Sequence, residues 1–262
     1  MTEQTRSTDQ TSLEKRLITI ASGKGGVGKT WLAVTLTHAL SHAGKKTALF
    51  DGDLGLANVD IQLGIIPDKD LGHVISGEAT FADIAHRFQD KDGSSFDVLP
   101  GKSGSGALGS LSGQALVSLK SGLTQTAADY DYLLLDLAAG IDPSVTTLSD
   151  HSGRILVVMT ADPTSLTDAY AFIKLAVMRN PKANIAVVVN NVGSKKEGER
   201  AFEAIKRACE GFLKISPPLA GIIRNDNKVV DAIRSQTPVI TRHPQSTAAA
   251  DVRALADSLI HS

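Results

Sequence analysis

The chain has 262 residues and a mass of 27.5 kDa, and its 42% hydrophobic and 21% charged residues are typical of a globular protein with a substantial core. A formal net charge of −1 excludes a general electrostatic attraction to nucleic acid or acidic lipid, so any such contact needs a local patch. The one cysteine, Cys209, excludes an intrachain disulfide and a metal site built from several thiolates of the chain.

The amino-terminal segment is polar and precedes the first predicted element. Residues 1–14 lack hydrophobic periodicity, so we expect a flexible arm followed by one globular domain over residues 15–262. Residues 1–12 contain no apolar stretch of the kind found in signal peptides. No apolar run reaches the roughly 18 residues needed to cross a bilayer. The sequence therefore predicts a cytoplasmic protein.

The first predicted strand, Leu17–Ser22, leads into the glycine-rich run Gly23–Thr30 and then into a predicted helix, Lys29–Ala43. Strand, loop and helix in this order are typical of a phosphate-binding P-loop. Glycines let backbone N–H groups approach phosphate oxygens, and the positive end of the helix dipole favours the anion. The alternative, a glycine-rich turn without a ligand, is disfavoured by the flanking strand and helix. We expect Lys29 to reach the β- and γ-phosphates and the Thr30 hydroxyl to bind Mg²⁺. The predicted nucleotide contacts of this segment are Gly25, Gly26, Val27, Gly28, Lys29, Thr30 and Trp31.

Short β-rich runs alternate with helical stretches through the rest of the chain. Several strands are apolar at every position, as expected for a parallel sheet covered on both faces. This alternation predicts a single-domain α/β fold: a doubly wound, mostly parallel sheet with helices on both faces, as in P-loop NTPases, with ligands at the carboxyl ends of the strands. The segment Gly101–Gly113, rich in glycine and serine, is either a flexible loop or a packed cluster of turns. The other predicted strands are Thr47–Phe50, Phe96–Leu99, Tyr132–Asp136, Ile155–Thr160, Ile185–Asn190 and Leu219–Ile223, and the other helices are Gln114–Ala128, Ser144–Asp150, Leu166–Met178, Lys196–Phe212, Val229–Ser235 and Thr247–Ile260.

Two groups of carboxylates stand at strand ends, where the fold predicts a ligand. Asp51 and Asp53 follow the strand Thr47–Phe50, and we expect one to face the magnesium shell and the other the attacking water. Alternatively, either aspartate caps the following turn. Asp136 ends the strand Tyr132–Asp136, where a buried carboxylate needs a cation or hydrogen-bond donors. We therefore predict that Asp136 holds Mg²⁺, directly or through a water.

Polar residues also follow the last two predicted strands. The side-chain amide of Asn190 offers both a donor and an acceptor, so it can recognise an adenine edge, or it can be a turn residue at the strand end. The loop containing Arg224 and Asp226 is expected to close over the base, the alternative being a solvated surface loop. These positions complete the predicted nucleotide site.

The motifs together resemble the deviant Walker A ATPases of the MinD/ParA group. The P-loop has a second lysine, Lys24, near its start, and the runs Asp51–Asn58 and Asp136–Gly140 match the other motifs of that group. The resemblance covers roughly residues 17–260. Within the group, the flagellar number and placement regulators of the FlhG/FleN type are most similar, on the segments Asp53–Asp60, Leu99–Gly101 and Gly221–Ala250.

The resemblance implies an ATPase that uses ATP and Mg²⁺ and forms an ATP-dependent homodimer. Lys24 is similar to the signature lysine, which in such proteins reaches the phosphates of the partner subunit. Lys29 and Thr30 match the ordinary P-loop pair, and Asp53 matches the residue that polarises the hydrolytic water. Asp51 and Asp136 match groups around the magnesium. A flagellar GTPase or a transcriptional regulator is the implied further partner.

Two segments depart from the pattern of relatives that work on membranes or stimulate a GTPase. The helix Thr247–Ile260 has an apolar stripe that fits core packing better than lipid, and its polar side lacks the basic residues of an interfacial anchor. We therefore expect no stable membrane attachment, while transient association with the inner membrane or a cell pole stays open. Asp9–Leu13 matches only partly the amino-terminal segment that stimulates a partner GTPase in flagellar regulators.

Other functions on the same scaffold make different demands on the sequence. Iron–sulfur relatives need at least two cysteine ligands per subunit, which Cys209 alone cannot supply, and no insertion provides an acceptor site for a kinase or amidoligase. A DNA-partitioning ATPase needs a basic face on its dimer. A modest basic cluster, which fits a solvated helix face better, consists of Lys195, Lys196, Arg200, Lys206 and Arg207.

Overall fold

An eight-stranded sheet with the order β3-β4-β2-β5-β1-β6-β7-β8 forms the centre of the molecule in a computed structural model, which describes residues 11–101 and 111–261. All neighbouring strands pair in parallel except β3 and β4, which are antiparallel. The strands are β1 (Leu17–Ser22), β2 (Thr47–Gly52), β3 (His86–Gln89), β4 (Ser95–Leu99), β5 (Tyr132–Ala139), β6 (Arg154–Met159), β7 (Asn184–Val192) and β8 (Leu219–Arg224).

Helices connect the strands and cover the sheet on both faces, which confirms the predicted doubly wound fold. They are α1 (Lys29–His42), α2 (Val59–Leu63), α3 (Leu71–Ile75), α4 (Phe81–Ile84), α5 (Gly113–Thr126), α6 (Pro143–Leu148), α7 (Pro163–Arg179), α8 (Lys195–Ala208), α9 (Asn227–Arg234), α10 (Val239–Arg242) and α11 (Thr247–Ile260).

Side chains of β1 alternate between two hydrophobic cores, one on each face of the sheet. Leu17 and Ala21 belong to the core that packs against α5, α7 and α8, while Ile18 and Ile20 belong to the core beneath α1 and α11. Because β1 lies between β5 and β6, its carboxyl end is at the middle of the sheet, where a parallel α/β fold binds its ligand.

The structure differs from the sequence prediction mainly along one edge of the sheet. Strand β3 was not predicted, because its residues alternate between half-buried and exposed and lack an apolar run. The short helices α2, α3, α4 and α10 were also missed, since four or five residues give too little periodicity to detect. The predicted helix Lys196–Phe212 ends earlier, at Ala208, and continues as a π-helical turn over Cys209–Leu213.

Two sequence predictions concern segments that the structure describes only in part. Residues 11–14 are helical, and the backbone N–H of Ser152 donates to the Glu14 carboxylate at 2.9 Å; residues 1–10 of the expected arm lie outside the described ranges. So do residues 102–110 of the predicted glycine-rich segment.

Within the described ranges, no helix combines the length and the apolar character that spanning a membrane requires. The stripe of α11 is confirmed as core packing, with Val252 and Leu255 buried against the sheet.

Candidate functional site

The loop between β1 and α1 is shaped by close contacts that only glycine permits. Gly28, which caps α1, has a φ of 88°, and a Cβ there would lie 2.5 Å from the Nδ2 of Asn190. A Cβ on Gly23 would lie 2.0 Å from the backbone oxygen of Asp168 in α7. The loop therefore lies tightly between β7 and α7. Helix α1 begins at Lys29, and the first backbone N–H groups of this helix have no hydrogen-bond partners within it. An anion is the ligand that such a helix start favours.

Asp136 lies beside this loop, and its carboxylate is buried. It pairs in register with Ile20 of β1 and with Asp51 of β2, and it is almost completely buried. Burial raises its pKa to about 7, against the opposing effects of the Thr30 hydroxyl and the Lys29 charge. Neither carboxylate oxygen has a hydrogen-bond partner of normal geometry in the described part of the chain. A buried carboxylate of this kind calls for a cation, so these residues fit a bound magnesium ion.

Lys29 and Asp136 influence each other's ionisation. Burial lowers the pKa of the Lys29 ammonium, and the charges of Asp136 and Asp53 raise it in part. The cradle therefore contains a cationic side chain, helix N–H groups and an unpartnered carboxylate, which is the combination that holds a nucleotide phosphate with its metal ion.

Asp51 and Asp53 organise the turn after β2. The Oδ2 of Asp51 accepts hydrogen bonds from the backbone N–H groups of Asn58 and Val59 at 2.8 and 2.9 Å. Burial raises the pKa of Asp51 to about 6, although these hydrogen bonds oppose the shift. The Oδ1 of Asp53 accepts from the N–H of Leu56 at 3.0 Å. These hydrogen bonds are the ones expected if each aspartate caps the turn that follows it. Both carboxylates also lie close enough to Asp136 for their charges to raise its pKa.

A cavity of about 180 Å³ opens beside the P-loop and brings together most of the residues predicted to contact the nucleotide. The walls come from the P-loop, the start of α1, the ends of β7 and β8, and α9. Val229, Val230 and Ile233 of α9 form an apolar wall that the sequence did not predict. The predicted residues in the cavity lining are Gly26, Val27, Gly28, Trp31, Asn190, Arg224 and Asp226.

The polar side chains of this cavity have structural partners. The Nδ2 of Asn190 donates to the backbone oxygen of Val27 at 2.8 Å, so Asn190 supports the P-loop directly. The guanidinium of Arg224 forms a two-pronged ion pair with Asp251 of α11, with both N–O distances at 2.8 Å. Asp226 caps α9 and also accepts from the backbone N–H of Thr247, at the start of α11. The roles of Asn190, Arg224 and Asp226 at the base remain predictions.

Lys24 has an anchor outside the P-loop. Its amino group donates to the Oδ2 of Asp162 at 2.9 Å and also to the Thr164 hydroxyl, and its side chain is 38% exposed. Asp162 is the N-cap of α7. The sequence offered a signal for it: an aspartate followed by proline, just past a strand end, is typical of a helix start at the ligand edge. No local pattern marks the partner of Arg224, because Asp251 is in the middle of a distant helix.

Comparison with known proteins places the chain in a family. The model of the CobQ/CobB/MinD/ParA nucleotide-binding domain matches residues 18–239. The chain belongs to this family. The antiactivator FleN of Pseudomonas aeruginosa is 33% identical over 244 residues, which cover 93% of this chain and 86% of FleN. The flagellum site-determining protein YlxH of Helicobacter pylori is 30% identical over 222 residues, covering 84% of this chain and 74% of YlxH.

A solved structure agrees with the family assignment. The cell division ATPase MinD of Pyrococcus furiosus superposes with a TM-score of 0.79 at 25% identity, covering 94% of this chain and 99% of that one. The protein is therefore a MinD/ParA-type P-loop ATPase. The septum site-determining protein MinD of Pyrococcus horikoshii, which superposes with a TM-score of 0.76 at 24% identity and covers 92% of this chain and 94% of that one, was solved as a complex with Mg-ADP. Membership confirms the resemblance stated from the motifs, and the assignment of individual residues around the cavity beside Gly28 to the nucleotide site stays a prediction.

Proposed function

We propose that this MinD/ParA-family ATPase is a nucleotide-dependent switch that dimerises with ATP and regulates the number or placement of flagella. Support for the flagellar role comes from the two relatives FleN and YlxH, which match most of the chain. Hydrolysis at the P-loop would then return the protein to the monomer, and partner binding would follow the nucleotide state. The proposed partner is a flagellar GTPase or a transcriptional regulator.

The position of Lys24 is the observation on which the dimer proposal rests. Lys29 lies in the cradle beside Asp136, whereas the Lys24 amino group is bound by Asp162 and Thr164 of a different element. The Lys24 side chain is half-exposed, so it can leave this anchor at low energetic cost. A second copy of the chain, docked across the P-loop, would offer it the strongest available anion, the γ-phosphate.

The residues of the cradle have separate tasks in this proposal. The P-loop N–H groups and Lys29 bind the phosphates, and Thr30 with Asp136 holds the magnesium ion, which neutralises part of the charge that develops during hydrolysis. Asp53, half-buried in the turn after β2, would orient the attacking water. Lys24 of a second copy would offset the remaining negative charge of the phosphates, which links hydrolysis to dimerisation.

Two substitutions test the switch. Lys24→Ala should bind ATP as tightly as the wild type but stay monomeric with a non-hydrolysable ATP analogue in sedimentation experiments. Lys182→Ala, which removes an exposed lysine outside the site, is the matched control and should dimerise normally. Asp53→Ala should dimerise with ATP and fail to hydrolyse it. A Lys24→Ala protein that dimerises like the wild type, or an Asp53→Ala protein that stays monomeric with ATP, would contradict these roles.

The cellular role needs a separate test. Deletion of the gene should change the number or position of flagella, and complementation with Asp53→Ala should not restore the normal pattern. In vitro, the ATP-bound protein should ignore duplex DNA. DNA binding that depends on ATP and weakens steeply with salt would instead favour a partitioning role through the basic residues of α8.

A further inference from the structure

A group of histidine and aspartate side chains lies at the far end of α1 from the nucleotide site. His38 and His42 are one turn apart near the end of this helix, and Asp90 and Asp92 come from the turn between β3 and β4. We call these four residues the His–Asp cluster. His38 is about 14 Å along the helix axis from Lys29, so the cluster is separate from the phosphate cradle.

The ligand atoms of the cluster converge. The Nε2 of His42 lies 2.7 Å from the Oδ2 of Asp92, and the Nε2 of His38 lies 3.9 Å from the same oxygen. One ligand atom from each of these three residues falls within 4.8 Å of the others. Asp90 adds a second carboxylate, with its Oδ2 3.0 Å from the Nε2 of His38. In a tetrahedral zinc site, bonds of about 2.1 Å put ligand atoms about 3.4 Å apart, which falls within this range of separations.

Burial favours a built site over a chance surface grouping. The side chains of His38 and Asp90 are 0% and 3% exposed, whereas Asp92 and His42 are about one-third exposed and give access from solvent. The Nδ1 of His38 is buried without a hydrogen-bond partner among the described residues. Every polar contact found for this ring is therefore made by Nε2, which points at the carboxylates.

The turn that supplies the aspartates is itself fixed. The backbone N–H of Asp90 donates to the oxygen of Ser94 at 2.9 Å, and Gly93 takes a φ of 90° to close the turn. The hydroxyl of Ser94 donates to the Oδ1 of Asp92 at 2.6 Å, and the Thr241 hydroxyl of α10 donates to both aspartates. Three segments distant in sequence therefore hold the carboxylates beside the two imidazoles.

The charge of the cluster suits a divalent cation. Two carboxylates beside two imidazoles can offset a charge of +2. Imidazole nitrogen combined with carboxylate oxygen selects Zn²⁺ and its transition-metal neighbours over Mg²⁺ and Ca²⁺, which prefer oxygen alone.

We propose that the His–Asp cluster binds one zinc-class divalent metal ion through His38, His42 and Asp92, with Asp90 balancing its charge. The ion joins the end of α1 to the turn between β3 and β4, at the edge of the sheet. This site is structural, because it is remote from the phosphate cradle. The proposed site lies at the edge of the sheet that contains β3, the strand that the sequence did not predict.

The test uses the full, untagged, nucleotide-free chain titrated with Zn²⁺ alone in the presence of excess Mg²⁺. We expect one Zn²⁺ per chain by calorimetry, a higher melting temperature, and the visible absorption of tetrahedral Co²⁺ when Co²⁺ replaces Zn²⁺. His42→Ala and Asp92→Asn should each weaken binding at least about tenfold, because even residues that only support a ligand contribute that much. His261→Ala removes an exposed histidine elsewhere and should bind Zn²⁺ as the wild type does.

Two results would overturn the proposal. One is the absence of stoichiometric Zn²⁺ binding by correctly folded wild-type protein, which would leave the cluster as a hydrogen-bonded network only. The other is equal Zn²⁺ affinity in the wild type, His42→Ala and Asp92→Asn, which would locate the ion elsewhere. Circular dichroism of each variant verifies folding, and both substituted side chains are partly exposed, so neither change opens a cavity in the core.

Discussion

Replacing Asp136 by asparagine should stabilise the nucleotide-free protein while abolishing its Mg²⁺-dependent ATP hydrolysis. The carboxylate of Asp136 is buried without a hydrogen-bond partner of normal geometry in the described part of the chain, so its charge opposes folding until a cation arrives. Asparagine keeps the shape of the side chain and removes the charge. Stability and function should therefore change in opposite directions at this one position.

The size of the effect follows from the pKa of Asp136, which burial raises from 3.8 to about 7. A difference of about three pKa units corresponds to about 4 kcal/mol at full ionisation. Two losses reduce the gain: Lys29 loses a neighbouring negative charge, and the buried amide keeps part of the desolvation penalty. We expect a net gain of about 2 kcal/mol in the free energy of unfolding.

The direction in which stability changes with pH tests whether the buried charge of Asp136 causes the effect. Because the pKa is raised on folding, the folded state binds the proton more tightly than the unfolded chain does. The contribution of Asp136 to the stability of the wild type therefore falls as the pH rises from about 4 to about 7. The advantage of Asp136→Asn over the wild type should widen across the same interval and then level off.

Urea unfolding of nucleotide-free protein at about pH 5.5 and about pH 8 measures both quantities. Asp68→Asn, a change at an exposed aspartate, is the control and should shift stability by less than about 0.5 kcal/mol. With Mg·ATP, the wild type should gain stability and Asp136→Asn should gain much less. The reasoning is wrong if Asp136→Asn is less stable than the wild type at the higher pH without ligand.

Three further predictions concern other parts of the molecule. Asp162→Asn keeps an N-cap residue for α7 but weakens the anchor of Lys24, so the ATP-dependent dimer should form at lower protein concentration in sedimentation experiments; an unchanged concentration dependence would contradict it. Trp31 is the only tryptophan and lines the nucleotide cavity, so its fluorescence should change when ATP is added to wild type and should stay constant in Lys29→Ala. Burial lowers the pKa of His151 to about 3, so the free energy of unfolding of the wild type decreases as the pH falls below about 6.5. Between about pH 7 and about pH 5, His151→Gln should lose about 2 kcal/mol less stability than the wild type in urea unfolding. An equal loss of stability in both proteins would refute this.

The sequence was informative where function requires a particular backbone or a particular ligand. The P-loop, its flanking strand and helix, and the aspartates at the ends of β2 and β5 could all be predicted, because glycine spacing and uninterrupted apolar strands leave few alternatives. The confirmed doubly wound fold followed from the same alternation of strands and helices.

The contacts that were missed join residues far apart in the chain. Asp162 holds Lys24 across 138 positions, and the Asn190 amide reaches Val27 across 163, so no local periodicity could reveal either pair. Strand β3 escaped because an edge strand with one solvated side has no apolar run. The His–Asp cluster likewise appears only when the turn between β3 and β4 is brought against α1.

The hydrogen bond from the Asn190 amide to the oxygen of Val27 has a consequence for binding kinetics. It ties the P-loop to the central sheet before any nucleotide arrives, so the loop is preorganised and needs little rearrangement on ligand entry. Association should therefore proceed at a rate close to that of simple collision with an open cavity. Slower steps, if they are observed, would belong to the meeting of two subunits.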